Sequence, residues 1–188
     1  MRTIDEFIHG LDAIGEADFT TERVQEYLRA NPVDPTTLAP YLLYEKTHFT
    51  RNLIHRTPLY ELMAICWESG QLSRIHNHAG QRCWMAVPVG RLAVQNYEIV
   101  TIDPKTGHCE LRAANRLMMD AARPAHVEEE RPIHSVLNLA EYGQRAVSLH
   151  VYSKPYDRCL VYQLETNTYM DVPLFFDTEY GKRVAAGK

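Results

Sequence analysis

Apolar positions recur at helical spacing only in the first third of the chain. Phe7, Ile8, Leu11 and Ile14 fall on one helical face, and Thr3 followed by Glu6 has the spacing of a capping box. A second helix is predicted from about Thr21 to Ala30, with Val24, Tyr27 and Leu28 inward. "NPVDPTTLAP" then breaks the pattern with three prolines in ten residues, and a short third helix is expected around "YLLYE". From His48 onward the texture changes. "LYELMAICW", "RCWMAVPV", "RLAVQNYEIV", "RAVSLHVYS" and "RCLVYQLE" are short, rich in Val, Tyr, Trp and Leu, and partly alternating, as strands are. "PVGRL", "DPKTGH", "EYGQR" and "SKPYD" supply turns between them. Many short strands at near-regular spacing favour an antiparallel sandwich or barrel over alternating βαβ units. The expected fold is mainly β: a small barrel spanning about residues 46–175, with a helical region over about residues 1–45, in one domain of residues 1–188.

Composition narrows the function classes. The chain has 188 residues, enough for one domain with a real core. A formal net charge of -4 argues against a general nucleic-acid binder, which needs a basic surface to neutralise phosphates. No apolar run approaches the roughly 20 residues of a membrane span, and the acidic, amphipathic N-terminus does not read as a signal peptide. Cys66, Cys83, Cys109 and Cys159 are widely spaced and lack any C-x-x-C pairing, so reduced thiols in the cytoplasm are expected rather than a disulfide framework. A monomer or weak homo-oligomer is the expected state.

The candidate chemistry lies in "GQLSRIHNHAGQRCWMAVPVG", residues 70–90. Residues i and i+2 of a strand share a face, so His76 and His78 can grip one ion while Asn77 points away. Imidazole suits first-row transition metals, and His134 in "RPIHSVLNLAE" is a third candidate from another strand. His150 and Tyr152 in "SLHVYS" repeat the same-face spacing. An isolated H-x-H is as often a pair of surface or hydrogen-bonded histidines. The frame around it tips the balance: Gly70, five residues, His76-x-His78, four residues, Cys83, six residues, Gly90. That spacing resembles the first cupin motif, with cysteine where the motif usually has glutamate, and His134-x-x-x-Asn138 resembles the end of the second.

From "HFTRNL" to "YDRCLVY" the chain is similar to the cysteine dioxygenase family, cupin-fold enzymes with one Fe(II) that use O2 to turn a thiol into a sulfinic acid. The matching positions are Arg51, Trp67, His76, His78, Cys83, His134, Asn138, Ser148, His150 and Tyr152. The resemblance implies a cupin jelly-roll barrel, Fe(II) held by His76, His78 and His134, and Arg51 gripping the substrate carboxylate. It implies catalytic roles for Tyr152 and His150, and a possible thioether between Cys83 and Tyr152. Such a crosslink would hold the phenol near the metal; otherwise Cys83 is a small buried hydrophobe. The chemistry is coherent, because three neutral imidazoles leave the ion its full double charge to attract a substrate thiolate beside O2. On chemistry alone, three imidazoles would also accept Zn or Ni.

Two departures bear on the substrate. Phe49 stands where animal members of the family carry a tyrosine, and Lys154 stands where similar enzymes read Ser-Pro-Pro. Ser153–Lys154 is therefore expected as an ordinary trans bond or a costly cis one, and Lys154 as a solvated lysine or a second anion contact. Dioxygenases acting on 3-mercaptopropionate usually carry glutamine at the Arg51 position, so Arg51 favours L-cysteine, with a dioxygenase for another carboxylated thiol such as 3-mercaptopropionate as an alternative. A cupin that binds a metal or small ligand without turnover is the alternative of another class. His9, His48, His55, His108 and His126 are expected to be structural or solvated, Cys66 and Cys109 to be packing residues, and Cys159 to line the entrance to the site.

Overall fold

The computed structural model describes residues 1–123, 125–126 and 133–184. Helices α1 (Ile4–Asp12) and α2 (Thr21–Ala30) lead into strands β1 (Thr50–Arg56), β2 (Glu61–Trp67), β3 (Ile75–His76), β4 (Arg82–Val89), β5 (Leu92–Asp103) and β6 (His108–Met119). There follow β7 (Ala125–His126), β8 (Ile133–Leu137), β9 (Ala146–Ser153), β10 (Arg158–Gln163), β11 (Thr168–Pro173), β12 (Thr178–Glu179) and β13 (Lys182–Arg183). The strands form a seven-stranded sheet, ordered β13-β12-β1-β2-β9-β4-β7, and a closed ring, β10-β11-β6-β5-β8-β3.

The capping box forms as the spacing predicts. Thr3 Oγ1 accepts from the Glu6 amide at 3.2 Å, and Glu6 Oε2 accepts from the Thr3 amide at 2.9 Å. The bounds of α2 match the expectation, with Val24 and Leu28 buried and the Tyr27 hydroxyl donating to the Phe7 carbonyl at 2.9 Å. The third helix does not form at "YLLYE". A 3-10 turn runs instead over Pro35–Tyr41, almost wholly within the segment whose prolines were expected to break helical structure. Asp34 caps it, accepting from the Thr36 amide at 2.9 Å, and Pro35 fits the first helical position because no amide proton is needed there.

Period-two alternation sorts the seven-stranded sheet into two cores. Leu62, Ala64 and Cys66 of β2, Trp84 of β4, and Val147, Leu149 and Val151 of β9 pack in one core with Phe7, Leu11, Val24 and Leu28 of the helices. Met63, Ile65 and Trp67, Cys83, Met85 and Val87, and Ala146 and Tyr152 point the other way, meeting Leu92, Val94, Met119 and Val136 of the ring. Both faces of β2 and β9 are covered, which is why their sequences read as near-continuous apolar runs. At the turn between β4 and β5, a Cβ on Gly90 (φ 73°) would come within 2.6 Å of the Arg145 carbonyl, so only glycine fits.

Glu61 lies on the inner face of this sheet, fully buried at the start of β2 and 3.5 Å from Arg56 Nε. Burial pushes its carboxyl up from 4.5 to about 6, against the pull of Arg56 and Arg51 and with a small push from Asp157. The folded state therefore holds this proton more tightly than the unfolded chain. Below the unfolded value both states are protonated; as pH rises through about 6, the ionised carboxylate costs the fold ~1–2 kcal/mol. Glu61→Gln is expected to raise the melting temperature by a few degrees at about pH 8 and much less at about pH 5. Thermal melts across this range check it, and equal shifts at both ends would contradict it.

Candidate metal centre

His76, His78 and His134 converge although they come from separate segments. β3 is only two residues long, but β8 pairs with it through His76↔His134 and β10 through Val161↔His76. Beyond His76 the chain stays beside β10 because the Asn77 amide donates to the Leu160 carbonyl at 3.1 Å, and Asn77 Oδ1 accepts from the Leu160 amide at 3.0 Å. Asn77 is thus turned to the ladder, and His78 shares the inner side with His76. One ring nitrogen from each of the three histidines lies within 4.8 Å of the others, and the ring centroids are 4.8–5.2 Å apart.

The donor set suits a transition metal. His78 and His134 are buried, and neither ring nitrogen of His78 nor Nδ1 of His134 has a hydrogen-bond partner. Buried polar atoms without partners are costly, and metal coordination satisfies them. His76 Nδ1 is held by the Arg74 carbonyl at 2.9 Å, so Nε2 is the atom left for an ion. Burial holds all three imidazoles neutral, His76 down to about 4 and the other two well below their ordinary range. Neutral imidazole is the form that coordinates.

Behind the histidines runs a chain of hydrogen bonds on the inner face of β9. Trp67 Nε1 donates to Ser148 Oγ at 2.9 Å; Ser148 Oγ is 2.8 Å from His150 Nε2, and His150 Nδ1 is 3.0 Å from the Tyr152 hydroxyl. An indole N–H can only donate, so Ser148 Oγ accepts from Trp67; in the tautomer in which Ser148 gives its own proton to His150 Nε2, His150 Nδ1–H donates to the Tyr152 hydroxyl. Burial keeps His150 neutral, its pKa down to about 3, and holds the Tyr152 phenol well above 10. Cys83 stands directly opposite Tyr152 in the β4–β9 register, its thiol pushed up by burial and tempered by a hydrogen bond with Tyr152.

A cavity of about 180 Å³ brings Arg51, Phe49, His76, His150 and Tyr152 together. Arg51 Nε is buried with no hydrogen-bond partner, its guanidinium 5.6 Å from the Phe176 ring. Phe49 stacks on Trp67 at 4.6 Å, filling the wall with an apolar ring. Cys159 also lines the cavity, and Cys66 and Cys109 are buried packing residues, all as expected. Ser153–Lys154 is a cis peptide, and the Lys154 ammonium turns outward to Glu16 at 3.0 Å, which settles it as a surface group. His48 pairs with Asp177, His55 with Asp12 and His108 with Thr101, while His9 is exposed on α1; the side chain of His126 lies outside the described residues. Sequence reasoning missed Tyr156, whose ring meets Tyr152 edge-on at 5.3 Å and lies 6.2 Å from His78. A tyrosine in a turn carries no periodic signal.

Comparison with known proteins agrees with this geometry. The family described as "Cysteine dioxygenase type I" matches residues 2–165. The human protein named cysteine dioxygenase type 1 is 28% identical over 97% of this chain and 90% of its own length; the zebrafish (Danio rerio) protein of that name is 25% identical over 96% and 89%. Among solved structures, a Klebsiella pneumoniae protein with a double-stranded β-helix domain has 14% identity and a TM-score of 0.46, over 62% of this chain and 80% of that one. No helix among the described residues is long and apolar enough to cross a membrane.

Proposed function

We propose that this chain, which belongs to the cysteine dioxygenase type I family, is an Fe(II)-dependent enzyme that adds both atoms of O2 to the sulfur of a small thiol bearing a carboxylate, giving a sulfinic acid. L-Cysteine is the substrate expected from that membership and from Arg51. The observation that carries the reading is the convergence of three neutral histidines, with ring nitrogens within 4.8 Å of one another, beside a cavity whose wall holds His76 and a guanidinium with a buried, unpartnered nitrogen. Fe(II) at His76, His78 and His134 would supply a coordination sphere in which thiolate and O2 meet. Arg51 fixes the carboxylate end, so the sulfur is presented to the histidines rather than left to diffuse. Tyr152, its hydroxyl 3.0 Å from His150 Nδ1, offers a proton to the reacting atoms. Phe49, Trp67, Val136 and Val161 keep that exchange in a largely dry wall.

The test is O2 uptake by the iron-loaded protein with L-cysteine, with sulfinate measured alongside. Equimolar consumption and product support the reading; thiol binding without O2 uptake leaves a binding protein. For Arg51→Ala, KM for cysteine is expected to rise about 10- to 100-fold, the loss of a charge-assisted contact worth roughly 1.5–3 kcal/mol. Steady-state kinetics on cysteine and on cysteamine, which lacks a carboxylate, check the role. Equal discrimination between them before and after the substitution would remove Arg51 from carboxylate binding.

A further inference from the structure

Both main-chain polar groups of Arg51 are held by one residue, Asp177, from the segment of residues 174–177 that joins β11 to β12. Asp177 Oδ2 accepts from the Arg51 amide at 2.8 Å, and the Asp177 amide donates to the Arg51 carbonyl at 2.8 Å. The other carboxylate oxygen, Oδ1, lies 3.0 Å from His48 Nε2. Immediately afterwards Thr178 opens the parallel pairing of β12 with β1, and its hydroxyl donates to Asn52 Oδ1 at 2.9 Å. The residues before Asp177 alternate as extended chain does. Leu174 lines the cavity, Phe175 is exposed, and the Arg51 guanidinium lies over the Phe176 ring at 5.6 Å.

This arrangement holds the guanidinium without neutralising it. Asp177 brings a carboxylate beside Arg51, yet spends one oxygen on the main-chain amide and the other on His48. Glu61 is engaged with Arg56 at 3.5 Å. The buried Arg51 Nε accordingly has no hydrogen-bond partner. An aromatic face attracts the cation without taking a conventional hydrogen bond, so the N–H groups remain available to a carboxylate. A clamp that served only the edge of β1 would affect every ligand alike; one that aims Arg51 affects only ligands that carry a carboxylate.

We propose that Asp177 and Phe176 are positioning residues for carboxylate recognition: Asp177 fixes the main chain of Arg51, and Phe176 steadies its guanidinium for the carboxylate of the thiol substrate. This deepens the thiol dioxygenase reading and rests on it for the class of ligand, while binding is measured apart from turnover.

Calorimetry of the iron-loaded protein under nitrogen, with L-cysteine and with cysteamine, gives the preference that a carboxylate confers. Asp177→Ala is expected to reduce that preference about tenfold, the scale of one charge-assisted hydrogen bond, through weaker binding of cysteine and unchanged binding of cysteamine. Asp177→Asn, whose amide oxygen can still accept from the Arg51 amide, is expected to retain most of it. Phe176→Leu leaves the main-chain clamp in place and should reduce the preference about fivefold; it decides the matter if Asp177→Ala does not fold. In an Arg51→Ala background neither substitution should have a further effect, because residues that act through Arg51 lose their influence with it. An unchanged preference in Asp177→Ala or in Phe176→Leu, an equal loss of affinity for both thiols, or additivity with Arg51→Ala overturns the proposal. O2 uptake is followed separately. Asp177-dependent discrimination without uptake would keep the positioning pair and remove the dioxygenase.

Discussion

His134→Ala is expected to lose its iron and to bring thiol-dependent O2 uptake below detection. His134 is buried on β8 directly across from His76, and its Nδ1 has no hydrogen-bond partner. It is the member of the trio contributed by a strand remote in sequence, so the other two sit on one short segment and cannot enclose an ion without it. Even groups that merely orient metal ligands are worth about 10–100-fold in affinity or activity. Removing a ligand exceeds that, because the remaining pair must hold the ion against water. Metal content by mass spectrometry and O2 uptake should fall together. A variant with full iron and full turnover would mean the ligand set is wrong. His78→Ala is expected to behave alike.

Tyr152→Phe is expected to lower kcat by ~100-fold or more with little change in KM, the range typical of a proton-donating or hydrogen-bonding group at the reaction centre. The substitution keeps the ring that packs against His78 and Tyr156 and deletes only the oxygen at the end of the Trp67–Ser148–His150 chain. A proportionate rise in KM instead would assign Tyr152 to substrate binding. The same ring is opposite Cys83, and we expect purified protein to contain a thioether-linked fraction that grows with turnover. Forming it removes the thiol hydrogen and one ring hydrogen, joins sulfur to carbon, and passes two electrons and two protons to O2. Intact mass should show the loss of two hydrogens, with altered gel mobility, absent in both Cys83→Ser and Tyr152→Phe. Cys83→Ser should keep partial activity, because the link steadies a phenol that hydrogen bonds already place.

Much of this was legible before any coordinates. The limits of α2 and of β4 coincide with the segments picked out by period and turn residues, because each buries a simple repeating face. The convergence of His76 and His78 follows from spacing in extended chain, and that of His134 from a motif match. Where the sequence misled, the cause lies in partners remote along the chain. β6, "HCELRAANRLMM", has a mostly exposed face and so no apolar alternation; its pairing with β5, from Leu92↔Met119 to Asp103↔His108, makes it a strand. The third helix failed because "YLLYE" has no cap, whereas Asp34–Pro35 provides one upstream. Glu61 and Tyr156 join Tyr152 only through folding: Glu61 and Cys83 flank it in register across three strands, and Tyr156 meets it from the turn that follows β9.

β9 carries two vocabularies on one strand. Val147, Leu149 and Val151 face the helices, while Ser148, His150 and Tyr152 form the hydrogen-bonded row on the inner face. Selection for heat resistance and selection for a new thiol can therefore act on alternate residues of the same eight-residue segment without competing for positions. A lineage under both pressures would record them as interleaved histories, one of hydrocarbon shape and one of proton traffic, read by taking every second letter.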